Sequence, residues 1–361
     1  MMKKICSLVC MVCVALVALS QNLMLDQEEA EDVIDVVGYF CKNDSMTFRL
    51  IQQEYEIKGC DTTISESCEK EFLIVVTDST SKGYKMKYVP LSFKTLDDNT
   101  DDGIMTSAIN KLMMSEECNF TTDELGQLQS IDNWREIRDH LKKGVKVVCD
   151  SLYSNISDMD SIMSRKEFEK MLSLLLPSDM ESIQDSYEEL TDLFGIHGSV
   201  FDIGDQELDS EMNGFPQHRL VRIGYTAVED EENDFDGDYA ISTKSTTLIP
   251  VEDMKDLMGS AFDVVSIIMG MANESLDTDS LDLVRDMIVD SISAAKPSGI
   301  EMTTSEYYRF FLNGWPKEYY YSEVIDMGIE KRVEARSIEW IKRNWNIYFR
   351  EDEDTPEHRE I

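Results

Sequence analysis

Histidine and positive charge are scarce in this chain, and each shortage excludes something. The 4 histidines are His140, His197, His218 and His358. No two have the i, i+4 spacing of a helix-borne metal pair, and His358 falls in a charged tail, so histidine-based metal or acid–base chemistry has little to work with. Lys and Arg number 34 against 72 Asp and Glu, a formal charge of −38. Such a field repels phosphate backbones and anionic lipid surfaces, which argues against nucleic acid as a partner. After residue 20 there is no Cys-x-x-Cys pair, and the chain has no Gly-x-Ser-x-Gly elbow and no glycine-rich phosphate loop, so the common redox, zinc, acyl-transfer and nucleotide signatures are all missing there. Cys149 and His140 share a helical stretch without a third group to orient them.

What the chain does have is an address and an architecture. Residues 1–20, MMKKICSLVCMVCVALVALS, set Lys3 and Lys4 ahead of an apolar run that closes on small residues, the layout of a secretory signal peptide. The run is too short for a stable membrane span, and nothing after it reads as a transmembrane segment. An exported protein is expected, periplasmic or at the cell surface. Hydrophobic residues make up 42%, enough for a sizeable core despite the charge.

Five cysteines follow the leader: Cys41, Cys60, Cys68, Cys118 and Cys149. Cys60 and Cys68 bracket DTTISES, read as a polar connection between two strands. In an exported protein they are candidates for a disulfide across the mouth of a hairpin; the other three read as small buried hydrophobes.

Strand signals dominate residues 32–94, in four runs rich in Val, Ile, Phe and Tyr with polar turns between them. A helix is expected from about 104 to 114, then two short strands at 119–122 and 128–131 turning at Gly126. Asn133, with Glu136 three residues on, reads as a helix cap. From there Trp134, Ile137, Leu141, Val145, Val148 and Leu152 recur at helical spacing and predict one buried face, with Trp134 inside it. Helices over about 165–176 and 178–194 flank Pro177. The order then repeats: strands at 199–204, 218–229 and 238–249, a helix over 251–271 after Pro250, a helix over 281–295, and three long strands from 299 to 349 with turns at Asn313-Gly314 and Met327-Gly328.

The fold class expected is α+β, curved antiparallel sheets with helices packed on them, in two similar sheet-and-helix modules at 21–195 and 196–350, with 351–361 a charged tail.

Three local patterns invite a functional reading. Glu232, Asp234, Asp236 and Gly237 have the acidic spacing of a calcium loop. Thr243 stands where the bidentate Glu is needed, however, and strands flank the stretch, so a solvated hairpin turn is favoured and calcium is kept as the minor cofactor reading. The methionine-rich helix 254–271 suits either a core element or the flexible lining of a lipid or peptide groove. The aromatic run Tyr307, Tyr308, Phe310, Phe311, Trp315, Tyr319, Tyr320 and Tyr321 reads as cross-strand packing, with a sugar platform as its alternative.

The start DVVGYFCKNDSMTFRL, the pair YEIKGCDTT and KEFLIVVTDSTSKGYKMKY, the entry TTDELGQLQSIDNWREIRD and the late NGWPKEYYYSEV together resemble exported proteins common in Bacteroidota, periplasmic or surface proteins built of antiparallel sheets with helices. The resemblance implies no catalytic residue. It does imply that Asp-Ser/Thr triplets around Ser45, Thr62, Ser79, Ser151, Ser161, Ser280 and Ser291 are candidates for that phylum's O-glycosylation. The expectation for function is non-enzymatic binding of a lipid, another hydrophobic ligand or an envelope protein; the alternatives are an envelope hydrolase with strand-borne carboxylates and a structural protein of a surface complex.

Overall fold

A computed structural model describes residues 33–95, 112, 116–155, 164–212, 214–226, 238–251, 253 and 278–344. Residues 1–20 of the expected signal peptide, the expected helix 104–114 apart from Leu112, the calcium-loop candidates Glu232, Asp234 and Asp236, the expected helix 254–271 and residues 351–361 lie outside the described residues.

The chain is mostly antiparallel sheet. Strands β2 (Ser45–Lys58), β3 (Asp61–Thr80), β4 (Gly83–Thr95), β5 (Cys118–Thr122) and β6 (Leu128–Ile131) form one meander. Strands β8 (Gly204–Met212), β9 (Phe215–Thr226), β10 (Asp238–Ile249), β11 (Ile300–Phe311), β12 (Pro316–Asp326) and β13 (Lys331–Asn344) form a second. The two are not separate sheets, as the repeated strand-then-helix order suggests. β13 pairs with β2 from Lys331↔Ile57 to Asn344↔Ser45, giving one 11-stranded sheet in the order β6-β5-β4-β3-β2-β13-β12-β11-β10-β9-β8. Both are long strands, so joining them satisfies two ladders of backbone groups that separate modules would leave at edges.

Alternation decides which side is buried. Met46, Phe48 and Leu50 on β2, Phe72, Ile74 and Val76 on β3, and Met86 and Tyr88 on β4 are all buried on one face, and Phe48, Phe72 and Tyr88 stack across the three strands at 5.5 and 5.0 Å. Pro90, which cannot donate to a ladder, falls beside a bulge opposite Phe72, a position a proline tolerates.

Helices cover this inner face. In α1 (Trp134–Asn155), Ile137, Leu141, Val145, Val148 and Leu152 are buried as their spacing predicts. Trp134 departs from that expectation: it is half-buried, its ring covered by the Arg135 and Arg138 guanidinium groups at 4.5 and 5.4 Å. The Asn133 side chain is engaged with β5, accepting from Asn119 N at 2.8 Å and donating to Glu117 O at 2.9 Å. α2 (Arg165–Leu175) and α3 (Met180–Asp185) each start on a reciprocal capping box, Ser164/Glu167 and Asp179/Ser182. The expected helix 178–194 breaks at Ser186–Tyr187, because Tyr187 leaves helical geometry (φ −108°, ψ 54°) and sets its ring edge-on to Tyr88 at 5.5 Å. α4 (Glu188–Phe194) follows, and α5 (Thr278–Ala295) joins β10 to β11.

The N-terminal run expected as one strand over 32–40 is a strand only at β1 (Val33–Asp35), paired with β7 (Val200–Asp202). Beyond it three amides find three different partners: Val36 N donates to Ser199 O, Gly38 N to Leu125 O and Tyr39 N to Asn313 O. This thread carries Phe40 into a cage of Trp315, Tyr84, His197 and Phe194, at centroid distances of 4.8 to 6.0 Å.

Two further readings change. DTTISES is the first part of β3, and the hairpin turn lies at Gly59 and Cys60. Seven strand steps at ~3.3 Å then hold Cys68 more than about 20 Å from the turn, far beyond disulfide reach, and both cysteines are free thiols. The acidic GDQELDSEM, which lacks a strand signal, is strand β8.

Candidate functional site

The densest polar chemistry lies where α4 meets the middle of the sheet. Period two puts Lys70 on the same face as Phe72, Ile74 and Val76, and Arg336 on the same face as Ile338, so two cations point into the core side of β3 and β13. α4 supplies the answering carboxylates from EELTDLF. Glu189 Oε1 takes Lys70 Nζ at 2.7 Å with both side chains buried. Asp192 Oδ2 lies 3.0 Å from Arg336 Nε, and Glu188 also pairs with Arg336.

The two buried carboxyls respond differently. Burial pushes Glu189 up, but the Lys70 ammonium and hydrogen bonds outweigh it and hold the carboxyl below its ordinary range. For Asp192 burial prevails over Arg336, and with Glu189 and Glu188 adding their repulsion its pKa rises to about 7. Burial also drives the Tyr88 hydroxyl, beside Glu189, well above its usual value.

Around this layer lie tyrosines and carboxylates of the neighbouring strands. Tyr308 and Tyr319 pack at 4.9 Å, the Arg336 guanidinium sits 5.3 Å over the Tyr321 ring, and Glu306 accepts from Thr243 Oγ1 at 3.0 Å. One step further along the strands, Glu66, Glu54, Glu334 and Glu323 face one another in register across β3, β2, β13 and β12. Like charges directly opposite destabilise a sheet. Burial first and their acidic neighbours second raise the pKa of Glu54, and burial with Glu188 and Glu323 raises that of Glu334 against the pull of Arg336.

The other candidates are placed as follows. Trp315 and Phe310 are buried and Tyr308 packs across to Tyr319, which is the cross-strand reading of the aromatic run. His140 Nδ1 lies 2.7 Å from Glu116 and His218 Nδ1 lies 2.9 Å from Asp209, both at the surface. His197 is fully enclosed, its Nε2 donating to Gly314 O at 2.8 Å, and burial lowers its pKa to about 4. Among the described residues no group of three His, Cys, Asp or Glu is placed to hold a metal, and no helix is long and apolar enough to cross a membrane.

Sequence reasoning missed α4's carboxylates and their partners. The signal was present: a lysine in phase with an apolar alternation, EKEFLIVV, and an arginine in phase with Ile338, each demanding a buried counter-charge.

No family model and no curated protein matches this chain. Among solved structures, one titled "Lipid-protein interactions in lipovitellin" aligns over 86% of this chain and 26% of its own length, at 9% identity and a TM-score of 0.34. The chain thus spans about a quarter of that protein. A porin mutant of Rh. blastica aligns over 82% of this chain and all of its own, at 6% identity and a TM-score of 0.17. Both scores fall below the level of a shared fold.

Proposed function

We propose that the chain acts by binding, as an exported cell-envelope protein, and that its ligand is a hydrophobic or envelope component taken up against the helix-covered face of the sheet. The observation that carries this reading is the division of that face. Where α4 sits, the carboxylates most shielded from water are tied to cations, Glu189 to Lys70 and Asp192 to Arg336, which suits holding a helix in place and leaves neither free to act as a base. Beyond α4, Tyr321 on one side of Glu323 and Ile325 and Met302 on the other are only half-buried on the same face, apolar surface that a ligand can cover at a gain of about 25 cal/mol per Å². Native mass spectrometry of the protein purified from its own host tests this. A mass excess that disappears on organic extraction is expected; the bare polypeptide mass at every preparation would overturn it.

A second reading rests on one observation, the in-register glutamates Glu54 and Glu334 with raised pKa values. Adjacent carboxyls of that kind can divide acid and base roles in a hydrolase. An activity against envelope glycans abolished by Glu334→Gln, with folding intact, would move the assignment to that class.

A further inference from the structure

An open sheet has two edges, and they are treated differently here. The β6 edge is four residues long and lies against α3 and α4. The β8 edge runs for nine residues, Gly204–Met212, paired with β9 along its whole length. On its other side no described element packs to a comparable extent, and among the described residues none forms a backbone hydrogen bond to β8 outside the β8–β9 ladder. Residues 207–212 are all exposed. An antiparallel strand directs about half its N–H and C=O groups away from its single neighbour, so this edge offers a row of unused donors and acceptors.

The side chains say which strand fits. On one face of the sheet β8 presents Asp205, Glu207, Asp209 and Glu211; on the other it presents Leu208 and Met212, 48% and 36% exposed. Asp205 is bound to Arg222 at 2.9 Å and Asp209 to His218 at 2.9 Å, whereas Glu207 and Glu211 have no ion pair among the described residues. A second copy of the chain is a poor occupant. Extending the sheet across a two-fold axis sets residues of the same face opposite each other, so Glu207 would confront Asp209 of the other copy.

We propose that β8 is a docking edge for an extended basic segment of another protein, added as a twelfth, antiparallel strand. Residues opposite Glu207, Asp209 and Glu211 are Lys or Arg, and those opposite Leu208 and Met212 are apolar. Main-chain bonds supply the affinity and the alternation supplies the choice of partner. The same acidic row that keeps copies of this chain apart selects the opposite charge. This edge is distinct from the half-buried surface beyond α4, so it stands whether or not a hydrophobic ligand binds there.

The test uses the whole chain and a capped nine-residue peptide of alternating Val and Lys, beginning and ending with Val so that its lysines fall opposite 205, 207, 209 and 211, with the Val/Glu counterpart as control. Hydrogen exchange read by mass spectrometry should slow at 204–212 with the basic peptide and not with the acidic one. In Glu207→Lys/Glu211→Lys, which alters only exposed side chains, binding should weaken about tenfold. Unchanged exchange at 204–212, protection confined to other segments, or equal binding by the double variant would each overturn the proposal, the last two marking attraction to the chain's overall charge.

Discussion

Lys70 and Glu189 meet at 2.7 Å with both side chains shut away from water, although 119 residues separate them. The pair fastens α4 to β3. Its value is asymmetric. Removing one partner strands a charge in the core, at a cost of about 3–5 kcal/mol, while replacing both by apolar groups of similar volume is close to neutral. Urea unfolding of Glu189→Gln and Lys70→Met should each show that loss, and Lys70→Met/Glu189→Leu should recover most of it. Equal losses in the single and double variants would mean that packing, not charge, is what matters there.

Two buried groups should oppose each other in the pH dependence of stability. His197, ordinarily near 6.5, is lowered to about 4, so its contribution is complete above pH 6.5 and is lost as pH falls towards 4, roughly 3 kcal/mol in all. Asp192 is raised from 3.8 to about 7, so its contribution is complete below pH 3.8 and is lost as pH rises through 7, again a few kcal/mol. Stability measured from pH 4.5 to 8 should fall less steeply with acid in His197→Gln than in the wild type, and more steeply in Asp192→Asn. Curves parallel to the wild type would show that neither group titrates differently on folding.

The elements that could be read from the sequence were those whose own residues settle the matter. The stripe from Ile137 to Leu152 is a helix because its apolar spacing permits nothing else, and β2, β4 and β10 to β13 carry their strand propensity in Val, Ile, Tyr and Phe. What failed depended on neighbours. GDQELDSEM has no propensity for a strand and becomes β8 because β9 offers it a ladder. DTTISES reads as a turn and becomes strand because β2 continues opposite it. The fusion of two meanders into one sheet is decided by the pairing of β2 with β13, which lie at opposite ends of the described chain and share no local signal. The polar layer under α4 was half legible: the phase of Lys70 announced a buried charge, but nothing local pointed to Glu189.

The corrected hairpin changes what the cysteines should do. Cys60 is exposed at the β2–β3 turn, whereas Cys118 and Cys149 are buried and burial raises their thiols, Cys149 to about 11. A thiol reagent applied to the folded, unreduced protein should therefore modify Cys60 quickly and leave Cys118 and Cys149 untouched until denaturant is added. Peptide mapping that recovers a Cys60–Cys68 crosslink would contradict the strand assignment of residues 61–68.

The junction of the N-terminal thread with the β11–β12 turn should be the least forgiving backbone site. Gly314 has φ +76°, and a Cβ there would stand 2.1 Å from Val37 O and 2.8 Å from Gly38 Cα. Its carbonyl also accepts the His197 hydrogen bond, and the neighbouring Asn313 O accepts Tyr39 N at 2.9 Å. Gly314→Ala must therefore move backbone, not a side chain, and doing so pulls at the thread that seats Phe40 among Trp315, Tyr84 and Phe194. Left-handed strain costs about 1–2 kcal/mol by itself, and the steric displacement adds to it, so a loss above roughly 2 kcal/mol is expected. Gly59 is the internal control. It has φ +63° with nothing within 4 Å of a built Cβ, so Gly59→Ala should show the strain alone. If the two substitutions cost the same in thermal or urea unfolding, the close approach of Val37 to the turn is not what holds this corner of the protein together.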